Sequence, residues 1–233
     1  MQLFTGRDQG NGHATANFYL PIPTPDEQKT ARQGDCTLTF TYPSQGDARL
    51  LDVGPITVTS QDGTKTFVSQ GSSGLTIYQP AAPPLWEAGD SATVTSAGGD
   101  LPGFTATVTF PAAADLTLPA DRTAISRASD LVVSFTADGT EAVELWLQEQ
   151  INEEATGQSP YVKVDCFSEP GQSAITIPKE LLAAFTAEGT GTSDPPLTLG
   201  GGRTHQQLAP AGQYAVPVYA TYAALSVHLS LSP

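Results

Sequence analysis

Phe104-Thr-Ala-Thr-Val-Thr-Phe110 is the stretch that decides the fold. Phe104, Ala106, Val108 and Phe110 fall on one side of an extended chain, and Thr105, Thr107 and Thr109 on the other. That period of two is the signature of a half-buried strand. Pro111-Ala-Ala-Ala-Asp115 follows, then a bridge over residues 116–118, Pro119-Ala-Asp121, and a second strand at Leu131-Val-Val-Ser-Phe135. The stretch reads as the last strand of one β-domain, a crossing stiffened by Pro111 and Pro119, and the first strands of another.

Working outward towards the N-terminus, the same alternation recurs at Cys36, Leu38, Phe40 and Tyr42. Ile56 to Val68 reads as a hairpin turning at Asp62-Gly63, a dipeptide suited to a type I′ turn. Short strands are expected at Leu75–Tyr78 and Ser91–Thr95, and less regular ones at 16–20 and 49–53. Asp26 to Arg32 reads as a helical turn or a charged loop.

On the C-terminal side, strand faces are expected from Val143, Leu145 and Leu147, from Val162, Val164 and Cys166, at Ala174–Ile177, at Tyr214–Tyr219, and from Leu225, Val227, Leu229 and Leu231. Glu149 to Pro160 reads as an acidic loop, and 189–202 as a glycine-rich one. Pro178 to Phe185 is the one helical pattern, with proline at its first position. The expected division is an arm or edge strand over 1–33, one β-domain over 34–118 and a second over 119–233.

Composition narrows the function. Of 233 residues only 15% are charged, and the net charge is −14. No segment gathers Lys and Arg into the patch that a phosphate backbone requires, so nucleic acid is not an expected partner. No run of about 18 apolar residues occurs, so no transmembrane span is expected. Met1-Gln-Leu-Phe-Thr5 lacks the basic and apolar regions of a leader. The chain is therefore either cytosolic or a mature exported chain without its leader, and low lysine with high Thr, Gly and Pro favours the second. Cys36 and Cys166 are the only cysteines. With one in each expected domain, they are either two buried thiols or a disulfide bridging the halves.

Two regions resemble predicted cell-surface proteins and lipoproteins of myxobacteria and related bacteria. The first is Asp52-Val-Gly-Pro-Ile-Thr-Val58, with Glu87-Ala-Gly-Asp90 and Leu101-Pro-Gly-Phe-Thr105. The second is Asp130-Leu-Val-Val-Ser-Phe135, with Val164-Asp-Cys-Phe167 and Ile175-Thr-Ile-Pro-Lys-Glu-Leu-Leu182. The resemblance covers roughly residues 34–185. It implies an all-β chain of two tandem immunoglobulin-like or fibronectin-III-like β-sandwich domains, with one short helix in the second. It also implies an extracellular, cell-surface or periplasmic location, and it carries no catalytic residue.

The chemistry-bearing residues form no catalytic pattern. His13, His205 and His228 have no metal-ligand spacing. Gly200-Gly-Gly202-Arg203 lacks the Gly-Lys-Ser/Thr and helix of a phosphate loop and reads as a mobile loop. Glu149, Glu153 and Glu154 are candidates for a weak calcium site or a solvated acidic loop. Trp146 is out of phase with Leu145 and Leu147, so it faces outward or into a domain junction. Trp86 follows two prolines. With Tyr78 and Tyr219, these tryptophans are the candidate contacts for a ligand or partner. The expected function is non-enzymatic, with no cofactor: protein–protein binding or surface assembly. Polysaccharide binding through exposed Trp and Tyr is the alternative, and a hydrolase without a recognisable motif ranks third.

Overall fold

The computed structural model of the protein describes residues 2–6, 13–16, 28–41, 51–67, 76–78, 87–137, 141–150, 161–185, 197–223 and 226–232. In chain order its elements are β1 (Gln2–Gly6), β2 (His13–Ala16), β3 (Gln28–Gln33), β4 (Cys36–Thr41), β5 (Ile56–Ser60), β6 (Gly63–Phe67), β7 (Thr76–Tyr78), β8 (Ser91–Ser96) and β9 (Phe104–Thr109). Then follow β10 (Ala114–Thr117), β11 (Thr123–Ser126), β12 (Leu131–Ala137), β13 (Glu144–Gln150), β14 (Tyr161–Phe167), β15 (Ala174–Ile177), α1 (Lys179–Leu182), β16 (Leu197–Ala211), β17 (Tyr214–Ala223) and β18 (Val227–Ser232). Among the described residues the chain is all-β with a single helical turn. The strand at Phe104 alternates buried and exposed without a break.

The chain forms two compact units that interleave along the sequence. The first comprises Met1–Ile22, Asp47–Ala113 and Arg203–Ala223; the second comprises Pro23–Gly46, Ala114–Gly202 and Ala224–Pro233. This differs from consecutive domains over 34–118 and 119–233. The chain passes from the first unit to the second at Ala113/Ala114, and residues 116–118, read as a bridge, belong largely to β10, which pairs with β12. Alternation reports which face of a strand is buried, but not which distant strand lies beside it.

In the first unit a four-stranded sheet, β6-β5-β8-β9, faces a sheet containing β17, β1, β2 and β7. Ile56, Val58, Val94, Phe104 and Val108 pack with Ala209, Val216 and Val218 in one buried core. The outer face of the four-stranded sheet is uncharged. Thr66, Thr57, Thr95 and Thr105 lie in one cross-strand row, and Thr64, Thr59, Thr93 and Thr107 in the next. Hydroxyls pair across strands, as at Thr59–Thr64 and Thr93–Thr107, both 3.0 Å apart. The β5–β6 turn is Gln61-Asp62, since Ser60 pairs with Gly63, so it lies one residue before the expected Asp62-Gly63. Neither Gln61 nor Asp62 has a positive φ and Gly63 takes 137°, which excludes the type I′ geometry.

In the second unit the sheet β10-β12-β15 faces a larger one ordered β3-β4-β14-β13-β16-β18-β11. Taken in chain order, β12 and β15 lie in one sheet and β13, β16 and β18 in the other. This is the arrangement of an immunoglobulin-like sandwich, with β14 widening the second sheet as in variable-type domains. Leu131, Val133 and Ile177 of one sheet meet Leu145, Leu147, Val164 and Leu199 of the other. Leu181, Leu182 and Phe185 of α1 and the residues after it join this core. Pro178 stands at the helix N-cap and not, as expected, at the first helical position, which is Lys179.

Two further expectations are corrected here. Gln28–Gln33 is a strand, β3, antiparallel to β4, and not a helical turn or loop. Cys36 belongs to the second unit and lies directly opposite Cys166, with Cα atoms 4.0 Å apart and the sulfurs bonded. The disulfide therefore staples β4 to β14 within one unit and does not bridge two halves.

Candidate functional site

The residues with binding chemistry converge on the outer face of β3-β4-β14-β13-β16, in the second unit. Inward residues of β13 and β14 are buried, which leaves Glu144, Trp146 and Gln148 on the outside beside Tyr161, Lys163, Asp165 and Phe167. Register sets their neighbours: Trp146 opposes Asp165, Gln148 opposes Lys163, and Glu144 opposes Phe167. Next along these rows stand Thr37 and Thr39 of β4, then Arg32 and Thr30 of β3.

Trp146 is the centre of this face. Its six-membered ring lies over Gly200 of β16, where a Cβ would come within 2.4–2.9 Å of Cζ2, Cη2 and Cε2. The glycine run expected as a mobile loop is thus strand, with its side chains absent for a reason. Gly200 gives the indole a flat seat, and at Gly201 a Cβ would meet the Glu144 carbonyl at 2.5 Å and Leu116 Cδ2 at 2.6 Å. The Trp146 ring is half-buried against backbone. Phe167 and Tyr161 are more open, at 49% and 43% exposure. Tyr161 lies four residues along β14 from Asp165, or about 13 Å at the rise of a strand.

The charged residues of this face stand on β13 and β14, while the indole leans towards β16. Lys163 Nζ is 2.6 Å from Asp165 Oδ1 and 3.9 Å from Glu144 Oε1. Burial raises the pKa of Glu144 above its ordinary value, the Asp165 carboxylate adds to the rise, and Lys163 opposes it. A planar aromatic group on a face that also carries carboxylates, an ammonium, amides and hydroxyls can stack on an apolar surface while those groups meet polar partners.

The other candidates lie elsewhere. Tyr219 is part-buried on β17 of the first unit, opposite Gln2 of β1. Tyr78 ends β7, with its side chain outside the described residues, as are Trp86, Glu153 and Glu154. Glu149 is not in a loop: it belongs to β13, faces inward with Leu145 and Leu147, and is only 2% exposed. It is therefore not a solvent-facing calcium ligand, and among the described residues no group of three His, Cys, Asp or Glu side chains is placed to hold a metal ion. A signal for this was present, because 145, 147 and 149 share one parity.

The remaining polar features act structurally. His205 is on β16, its Nδ1 2.8 Å from the Thr109 carbonyl oxygen. Buried Arg203 donates from Nη1 to the carbonyls of Ala112 and Ala113, at 3.3 and 3.4 Å. The His228 backbone N–H donates to Asp121 at 2.8 Å and holds that carboxyl below its ordinary pKa. Sequence reasoning did not find Glu144, Lys163 and Asp165, because their convergence depends on the β13–β14 register. Among the described residues no helix is long and apolar enough to cross a membrane.

No protein-family model and no curated protein matches the chain. Among solved structures it is similar to the fibronectin(III)-like modules of Clostridium thermocellum CbhA, at 10% identity and a TM-score of 0.21, over 82% of this chain and 87% of that one. A likeness at that score carries no argument; the fold rests on the strand order itself.

Proposed function

We propose that the protein is a non-enzymatic, exported binding protein of the cell surface or periplasm, of the kind resembled by myxobacterial surface proteins. In this reading it docks a protein partner, or another copy in a surface assembly, on the outer face of β3-β4-β14-β13-β16. The observation that carries it is the Trp146 indole seated on Gly200, on the same sheet face as the Glu144, Asp165 and Lys163 cluster. Interfaces draw most of their energy from such anchors, held rigid at the centre and rimmed by polar groups. The disulfide is compatible with an oxidising compartment.

A second reading has its own support. An indole held flat on a sheet, with carboxylates and amides beside it, also suits stacking against a sugar ring, so a polysaccharide is the alternative ligand. The test uses fluorescently labelled protein applied to the cells that make it. Trp146→Ala should lower retention at least tenfold, while Val132→Ala, on the opposite sheet, should not. Equal retention of Trp146→Ala and wild type overturns the reading. If Trp146-dependent binding instead appears on a glycan array with purified polysaccharides, the ligand is carbohydrate.

A further inference from the structure

β15 is an edge strand, and the groove beside it reaches the Trp146 face only at Phe167. Among the described residues β15 ends its three-stranded sheet and pairs only with β12. The Phe135 N–H donates to the Ser173 carbonyl at 2.8 Å, and Phe135 stands opposite Ser173 if the β12–β15 register is continued. In an antiparallel ladder the hydrogen-bonded pairs alternate. Ile175 and Ile177 therefore direct their backbone groups at β12, while Ala174 and Thr176 direct theirs away from it; the Thr176 carbonyl oxygen lies 3.3 Å from Cys36 Sγ, so the groups open to a partner are the Ala174 N–H and C=O and the Thr176 N–H. Among the described residues the backbone N–H groups of Ala174 and Thr176 have no partner.

These groups open into a groove of about 310 Å³, lined by Gln33, Asp35, Phe167, Gln172, Ala174 and Thr176 among others. That volume is at the lower end of the ligand-cleft range of roughly 300–1,000 Å³. Two of the other sheet edges carry cations that discourage strand pairing: β3 holds Lys29 and Arg32, and β6 holds Lys65. β15, Ala-Ile-Thr-Ile, carries no charge. Around the groove the charge is largely acidic. Asp35 lines it, Glu180 accepts from Gln33 Nε2 at 3.1 Å, and Glu169 donates its N–H to Gln172 Oε1 at 3.0 Å. Two cations stand against them: Lys179 beside Glu180, and Arg32, whose Nε donates to the carbonyl of the groove-lining Gly34 at 3.3 Å.

We infer that this edge accepts an extended segment of a partner protein as an added strand, with a Lys or Arg of that segment facing Asp35 and Glu180. Unpaired N–H and C=O groups in a strand edge recognise extended backbone, and flanking pockets select the side chains. The acidic rim favours a cationic segment. It disfavours a second copy of this chain, which would bring like charges together.

The test is a panel of linear 12-residue peptides displayed on phage and selected on the full-length protein. Selected peptides should be rich in Lys or Arg with alternating apolar residues. Thr176→Pro removes an outward N–H while leaving the bonds to β12, since proline is tolerated at an edge. It should abolish binding at an unchanged melting temperature, Asp35→Asn should weaken binding several-fold, and Trp146→Ala should leave it intact. In hydrogen exchange, the Ala174 and Thr176 amides should gain protection only with peptide. Failure to enrich peptides, equal binding to Thr176→Pro, or protected amides in the free protein each overturn the inference. Self-association that Thr176→Pro abolishes also overturns it, by showing that a second copy occupies the edge.

Discussion

Gly200 and Glu144 show how single residues set the proposed binding face. At Gly200 a methyl group would sit 2.4 Å from the Trp146 ring, which must then swing off its seat. Gly200→Ala should cost about 1–3 kcal/mol, as overpacking does, and in a Trp86→Phe background it should shift the Trp146 emission maximum to the red. Gly201→Ala meets backbone at Glu144, which cannot swing away, and should be the more destabilising of the two on thermal melting. Glu144 gives a pH signature. Its raised pKa means the folded state holds the proton more tightly. The stability it contributes is full below the ordinary glutamate pKa of about 4.3 and is lost as pH rises through the raised value. Glu144→Gln should remove that loss, so its melting temperature should exceed wild type at pH 7 by more than at pH 4. The outward placement of Trp146 was legible from its phase against Leu145 and Leu147. Its acidic and basic neighbours were not, because they belong to another strand.

At the scale of the element, the legible strands are those with one apolar face. β9 and β12 alternate buried and exposed residues along their length, and their sequences say so. β3 is Gln-Lys-Thr-Ala-Arg-Gln, with no apolar stripe; it is a strand because its backbone pairs with β4 at the edge of a sheet. The start of β16 was hidden by its glycines, which read as loop until the indole above them is known. The disulfide makes the β4–β14 pairing testable. It joins residues 130 apart in sequence, so it closes a long loop in the unfolded chain. The Cys36→Ser, Cys166→Ser double variant should lose about 2–5 kcal/mol in denaturant unfolding. A loss near zero would show that the staple contributes nothing to the second unit.

For the whole molecule, the consequence is interleaving. The second unit takes β3 and β4 from early in the chain, while β16 contributes Leu197–Gly202 to it and Arg203–Ala211 to the first unit. A cut near Leu118, the boundary the sequence pattern suggests, gives a C-terminal piece that lacks β4 and Cys36. Residues 119–233 expressed alone should therefore show no cooperative melt and no dispersed NMR spectrum. A well-folded 119–233 would refute the interleaving. The all-β class and most strands were readable from alternation and turns. The strand order was not, because long-range pairing leaves no local pattern.

The central claim is that a macromolecule docks on the Trp146 face. It is tested most directly by photo-cross-linking in the cells that make the protein, with benzoylphenylalanine replacing Tyr161 on that face or Val132 on the opposite sheet, both exposed positions. The account predicts a discrete cross-linked protein product from position 161 and none from position 132. No product from 161, or the same product from both positions, would contradict it.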